Sequence, residues 1–127
     1  MTGRRYDPAV VRTAIEKGRG VARDIYPDAE AMGDHTRGLH KMLNALIQHA
    51  TERRGEHAEH ALEWMRWDTA LANARRVHEA TDTGGGIVAA RSHLKEVVSA
   101  CEQLLNMCNA ADELDDGEYE LAARTRR

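Results

Sequence analysis

The run from Ile87 to Cys108 constrains this chain more than any other segment. Ile87, Ala90, Leu94, Val97, Val98, Cys101, Leu104, Leu105 and Cys108 recur mostly at intervals of three or four. That period places them on one face of an α-helix. Asp82-Thr83-Gly84-Gly85-Gly86 sets this segment off from what precedes it, since glycine gives the backbone the freedom to change direction.

Three further stretches carry the same period. Asp7 has the side chain of an N-cap and Pro8 the fixed φ favoured at the first helical position. Val11, Ile15, Gly18, Ala22 and Ile25 then form a stripe, widened by Val10, Ala14 and Val21, and Pro27 is expected to end the helix. Gly18 falls on the stripe, where the missing side chain permits close helix contact. Asp28 caps a second helix to about Arg54, with Met32, His35, Leu39, Met42, Leu43, Leu46, Ile47 and Ala50 inward and Gly55 as the stop. A third helix is expected from about Glu56 to Ala80. It carries Ala61, Trp64, Leu71 and Ala74 on one line, with Ala58, Leu62, Met65 and Ala72 beside it.

Only seven Val and four Ile occur among 127 residues, against 20 Ala, and turn signals are too sparse for a β-sandwich or barrel. The expected fold is all-α, an up-down-up-down four-helix bundle over residues 1–111. Residues 112–127 are expected to form a short acidic tail or extra helix, with a turn at Asp115-Asp116-Gly117 before Tyr119 and Leu121. Alanine makes the core thin, which leaves a seam for a second subunit and makes a homodimer an expectation.

The charge is segregated. Asp112, Glu113, Asp115, Asp116, Glu118 and Glu120 form an acidic run, and the rest of the chain carries 15 acids against 18 bases, a net +3. No window approaches the ~18 apolar residues of a membrane span, and the first residues lack a signal peptide's apolar stretch. A cytoplasmic location without membrane association is therefore expected. Cys101 and Cys108, seven residues apart on one helix face, are separated by about 10.5 Å at 1.5 Å per residue, too far for a disulfide between them. They read as buried free thiols.

Histidine invites a metal reading. Glu56-His57-Ala58-Glu59-His60 is the densest cluster, its spacings of three and four allowing shared helix faces. One helix supplies too few ligands, and the Glu-x-x-His pairs of diiron bundles are missing from the sequence, so a solvated start to the third helix is favoured and no metal is expected. The spacing of Cys101 and Cys108 does not match a zinc knuckle. His35, His78 and His93 lie nearest the apolar faces and are the candidates for haem, but no Cys-x-x-Cys-His occurs. Ser92 and Ser99 lack a nucleophile elbow, and the glycines before Ile87 lack the Gly-Lys-Ser/Thr ending of a phosphate loop. No cofactor is called for, and the balance leans away from an enzyme.

Binding is the stronger theme. Trp64 and Trp67, with Met65 between them, read as core, as a partner anchor, or as the wall of a pocket. Arg4-Arg5, Arg53-Arg54, Arg75-Arg76 and the terminal arginines could neutralise phosphates, but three of these groups sit at a chain end or helix end and no recognition helix stands out. The segments Ile25-Tyr26-Pro27-Asp28-Ala29-Glu30, Asp68 to Arg76, and Ala90-Arg91-Ser92-His93-Leu94 leading into Leu104-Leu105 resemble a family of small actinobacterial helical proteins labelled as associated with natural-product biosynthesis. The resemblance spans about residues 25–108 and implies a genomic neighbourhood rather than catalytic residues.

The leading expectation is a non-enzymatic accessory or regulatory protein that binds a protein partner or a second copy of itself. The alternative is a small-molecule-binding protein or enzyme of natural-product biosynthesis with a pocket between helices, and the third is a nucleic-acid-binding regulator. Trp64, Trp67, His60, His93, Arg75 and Arg76 are the candidate binding residues.

Overall fold

The structure, a computed structural model, describes residues 5–26, 28–80 and 86–125, with side chains described up to Asp115. The described residues form four helices and no strand: α1 (Pro8–Ala22), α2 (Ala29–Arg54), α3 (Leu62–Glu79) and α4 (Gly86–Thr125). Pro27, the break at 82–85 and the arginines Arg4, Arg126 and Arg127 lie outside the described residues.

Both N-terminal caps form as the sequence predicts. The Asp7 carboxylate accepts from the Ala9 N–H at 3.0 Å, with Pro8 in the first helical turn, and Asp28 accepts from the Glu30 N–H at 2.9 Å. Each cap satisfies a donor that the helix start would otherwise leave unpaired.

α1 stops at Ala22, short of the expected end at Pro27. Asp24 is the reason: its Oδ1 accepts from the Tyr26 N–H at 3.2 Å, and its carbonyl accepts from the Arg91 guanidinium at 2.9 Å. These bonds favour a turn over another helical turn. Ile25, expected on the buried stripe, is consequently exposed, whereas Val11, Ile15, Gly18 and Ala22 are buried.

α3 begins at Leu62 rather than near Glu56. His60 has φ 69°, a left-handed conformation that no helix interior tolerates, and Ala61 supplies no side-chain cap. The buried face is also rotated from the expected one and consists of Trp67, Ala70, Leu71, Ala74 and Val77. Burying Trp67 and Val77 removes more apolar surface from water than the Trp64 line would, leaving Leu62 and Met65 outside. α4 passes through 115–117 without the expected turn and continues to Thr125.

α2 and α4 pack most extensively against each other, with α1 and α3 each seated on both; among the described residues α1 and α3 do not meet. Pairs across α2 and α4 rise together in number, from His40 and His93 to His49 and Asp112. Across α1 with its flanking residues and α4 they run oppositely: Tyr6, before α1, meets Asp112, Arg19 pairs with Glu102, and the carbonyl of Asp24, after α1, meets Arg91.

The core fills with Met32, Leu39, Leu43, Leu46, Leu71, Leu94, Leu104 and Leu105. Cys101 and Cys108 are buried free thiols, pushed up to about 12 by burial, and Cys101 Sγ donates to the Leu39 carbonyl at 3.5 Å. They act as small hydrophobes.

Gly18 makes the close approach of α1 possible. A Cβ there would lie 2.9 Å from Leu39 Cδ1 and 3.2 Å from Val98 Cγ2, whereas one at Gly20 would meet nothing within 4 Å. Gly18→Val is therefore expected to destabilise by about 1–3 kcal/mol through overpacking, and Gly20→Ala to stabilise by about 0.5–1 kcal/mol through helix propensity. Urea denaturation of the two variants checks the opposite signs.

Candidate functional site

The six residues nominated from the sequence do not converge. Trp67 is core. Trp64 is half-buried, with the Arg54 guanidinium 5.3 Å from its ring centroid and the exposed His60 ring at 5.5 Å. Arg75 donates to Thr51 Oγ1 and Arg76 to Asn73 Oδ1, both on the exposed surface. His93 lies elsewhere, beside His40. The cleft that Trp67 borders measures about 230 Å³, lies between Glu56, Arg66, Met107 and Leu114, and does not reach Trp64, His60 or His93.

Among the described residues, three different places gather polar or exposed apolar side chains. The first is an open groove of about 540 Å³ between α3 and α4, lined by Leu62, Met65, Arg66, Ala70, Asn106 and Met107. Leu62 is 78% exposed and Met65 52%, large apolar side chains standing three residues apart on one helix face. Arg66 on the groove's lip donates to Glu63 at 3.0 Å, so the rim carries both signs of charge.

The second is a buried polar knot. Asp112, 5% exposed, accepts from Tyr6 Oη at 2.7 Å, from His49 Nε2 at 3.1 Å and from the Arg53 guanidinium. Arg53 also donates to Asp115 at 2.5 Å and to Glu56 at 3.1 Å. Burial alone would push the Asp112 carboxyl up, but the bonds from Tyr6, Arg53 and His49 outweigh it and hold the group below the usual carboxylate range. The Tyr6 ring meets the His49 ring edge-on at 5.1 Å. The knot ties the segment just before α1 to α2 and α4, with Asp112, His49 and Arg53 buried at its centre and Glu56 and Asp115 at its exposed edge.

The third is a set of half-buried histidines from three helices. His40 Nε2 lies 3.0 Å from His93 Nε2, and the His40 ring centroid lies 5.3 Å from that of His78. Burial, reinforced by both neighbouring imidazoles, pushes His40 down from its ordinary 6.5. The unfolded chain therefore takes up a proton below 6.5 that the folded His40 resists, so stability falls as pH drops through this range toward the folded value. The melting temperature in the presence of chelator is expected to fall between about pH 7.5 and about pH 5.5, and to fall less in His40→Gln.

The expected Glu56–His60 helix face does not exist, because these residues precede α3, and His60 instead faces Glu59 at 3.8 Å. His35, a haem candidate, lies apart from the histidine set, by a shallow groove against α1. The sequence points to His78 and His93 near apolar faces and not to His40. Its signal is its position directly after Leu39, at the edge of the stripe. Comparison of the chain with protein-family models, curated proteins and solved structures found no match.

Proposed function

We propose that this chain is a non-enzymatic accessory protein that works by docking, and that the α3–α4 groove is its docking face. The carrying observation is the pair Leu62 and Met65, left outside the core beside an open groove. Methionine and leucine on such a face suit helix-in-groove recognition, in which flexible apolar side chains supply the contact area.

The occupant is a second copy of the same face. Arg66 lines the groove and pairs with Glu63 three residues before it, so a twofold axis beside this pair would set each acid against the other copy's base. Apolar contact at the centre with exchanged ion pairs at the edge matches the anatomy of stable interfaces. The residue pairs across the helices support an up-down-up-down order. The resemblance to actinobacterial proteins labelled for natural-product biosynthesis supports an accessory role in that setting.

Light scattering over a concentration series tests the proposal. The wild type is expected to associate to a dimer, and Leu62→Glu or Met65→Glu to remain monomeric with unchanged helical circular dichroism, since both side chains already face solvent. A wild type that stays monomeric at high micromolar concentration, or glutamate variants that dimerise as well as it does, would overturn it.

A further inference from the structure

His40 on α2 and His93 on α4 present their Nε2 atoms to each other at 3.0 Å, with both rings half-buried. Imidazole nitrogens bind zinc-like cations at about 2.0–2.1 Å, which puts two of them about 3.0 Å apart at a right angle and about 3.4 Å apart at the tetrahedral angle. The observed separation is that of a hydrogen bond and lies within about 0.4 Å of the spacing two nitrogens take on one tetrahedral ion. Among the described residues no three His, Cys, Asp or Glu side chains converge as a ligand set, so the protein offers the pair. The geometry points to a two-histidine site for a divalent transition metal of the zinc, copper and nickel class, bridging α2 and α4, with water in the remaining positions.

The chemistry of the surroundings fits that cation. Imidazole binds metal in its neutral form. Imidazole nitrogens suit zinc, copper and nickel, whereas magnesium and calcium require oxygen ligands. His78 packs its ring beside His40, restricting the conformations His40 samples and so lowering the entropy lost on binding. Without metal, one Nε2–H fills the 3.0 Å gap as a hydrogen bond to the other ring. Metal entry requires the donating ring to give up its Nε2 proton and take one at Nδ1, by way of solvent, after which both rings are neutral Nδ1–H tautomers and each Nε2 offers a lone pair.

The test is calorimetry and thermal melting with Zn²⁺ alone added to the metal-free full chain. Zinc at a hundredfold excess over Kd is expected to raise the wild-type melting temperature by about 10 °C. His93→Ala and the volume-conserving His40→Gln are each expected to weaken binding at least about tenfold, while keeping wild-type circular dichroism without metal. The double variant His57→Ala with His60→Ala is expected to bind as the wild type does. No zinc binding by the wild type, undiminished binding by His40→Gln and His93→Ala, or loss of binding in the His57 and His60 variant would each overturn the assignment.

Discussion

Replacing Asp112 with alanine is expected to lower the stability of the folded chain by about 3–5 kcal/mol, the range for removing one partner from a buried ion pair. Three donors lose their acceptor at once: the Tyr6 hydroxyl, His49 Nε2 and the Arg53 guanidinium. Asp115 and Glu56 remain for Arg53, but at 56% and 45% side-chain exposure they face water and compensate weakly. The double replacement Asp112→Leu with Arg53→Met is expected to destabilise less than Asp112→Ala, because apolar packing removes the unpaired charge as well as the bond. The folded carboxyl lies below its ordinary 3.8, so this contribution is complete above that pH and is lost as pH falls through the folded value. Urea unfolding of the variants at neutral pH, and of the wild type in acid, measures both effects.

The second large effect separates the two tryptophans. Trp67, 4% exposed on the buried face of α3, is expected to cost about 3–5 kcal/mol on truncation to alanine. Trp64→Ala is expected to cost roughly 1 kcal/mol, the value of a cation–π contact and partial burial against Arg54. Equal losses would mean that α3 is rotated from its described orientation. Thermal denaturation of the two variants side by side gives the answer, and self-association of Trp64→Ala is expected to persist because the groove is built from Leu62, Met65 and Met107 instead.

Much of the architecture was legible because its causes are local. Asp7-Pro8 and Asp28 announce two helix starts through hydrogen bonds that span two or three residues, and the Leu94–Cys108 stripe announces α4 through a period that any apolar core enforces. The end of α1 was not legible, because it depends on Arg91, sixty-seven residues away, holding the Asp24 carbonyl. The face of α3 was misjudged because alanine and tryptophan sit on both candidate lines, and only the neighbouring helices decide between them.

The polar knot escaped for a different reason. Hydrophobic periodicity treats His49, Arg53 and Asp112 as surface residues, although burial becomes tolerable once each supplies the other's missing partner. A signal existed: Arg53 follows Ala50 by three and Asp112 follows Cys108 by four, so both continue their helices' buried stripes in phase. The acidic run, expected to belong to a tail beyond the bundle, is divided: Asp112 belongs to the interior, whereas Leu114 and Asp115 face outward. The candidate site was half legible: Met65 was seen beside the tryptophans, but its exposure depends on the rotation of α3.

Docking through the α3–α4 face is tested most directly by sedimentation equilibrium of the wild type beside a Leu62→Glu, Met65→Glu double variant. The wild type should approach twice the 14.2 kDa chain mass as concentration rises, and the variant should hold at the single-chain mass with its melting temperature unchanged. Identical masses for the two proteins at every concentration would contradict it.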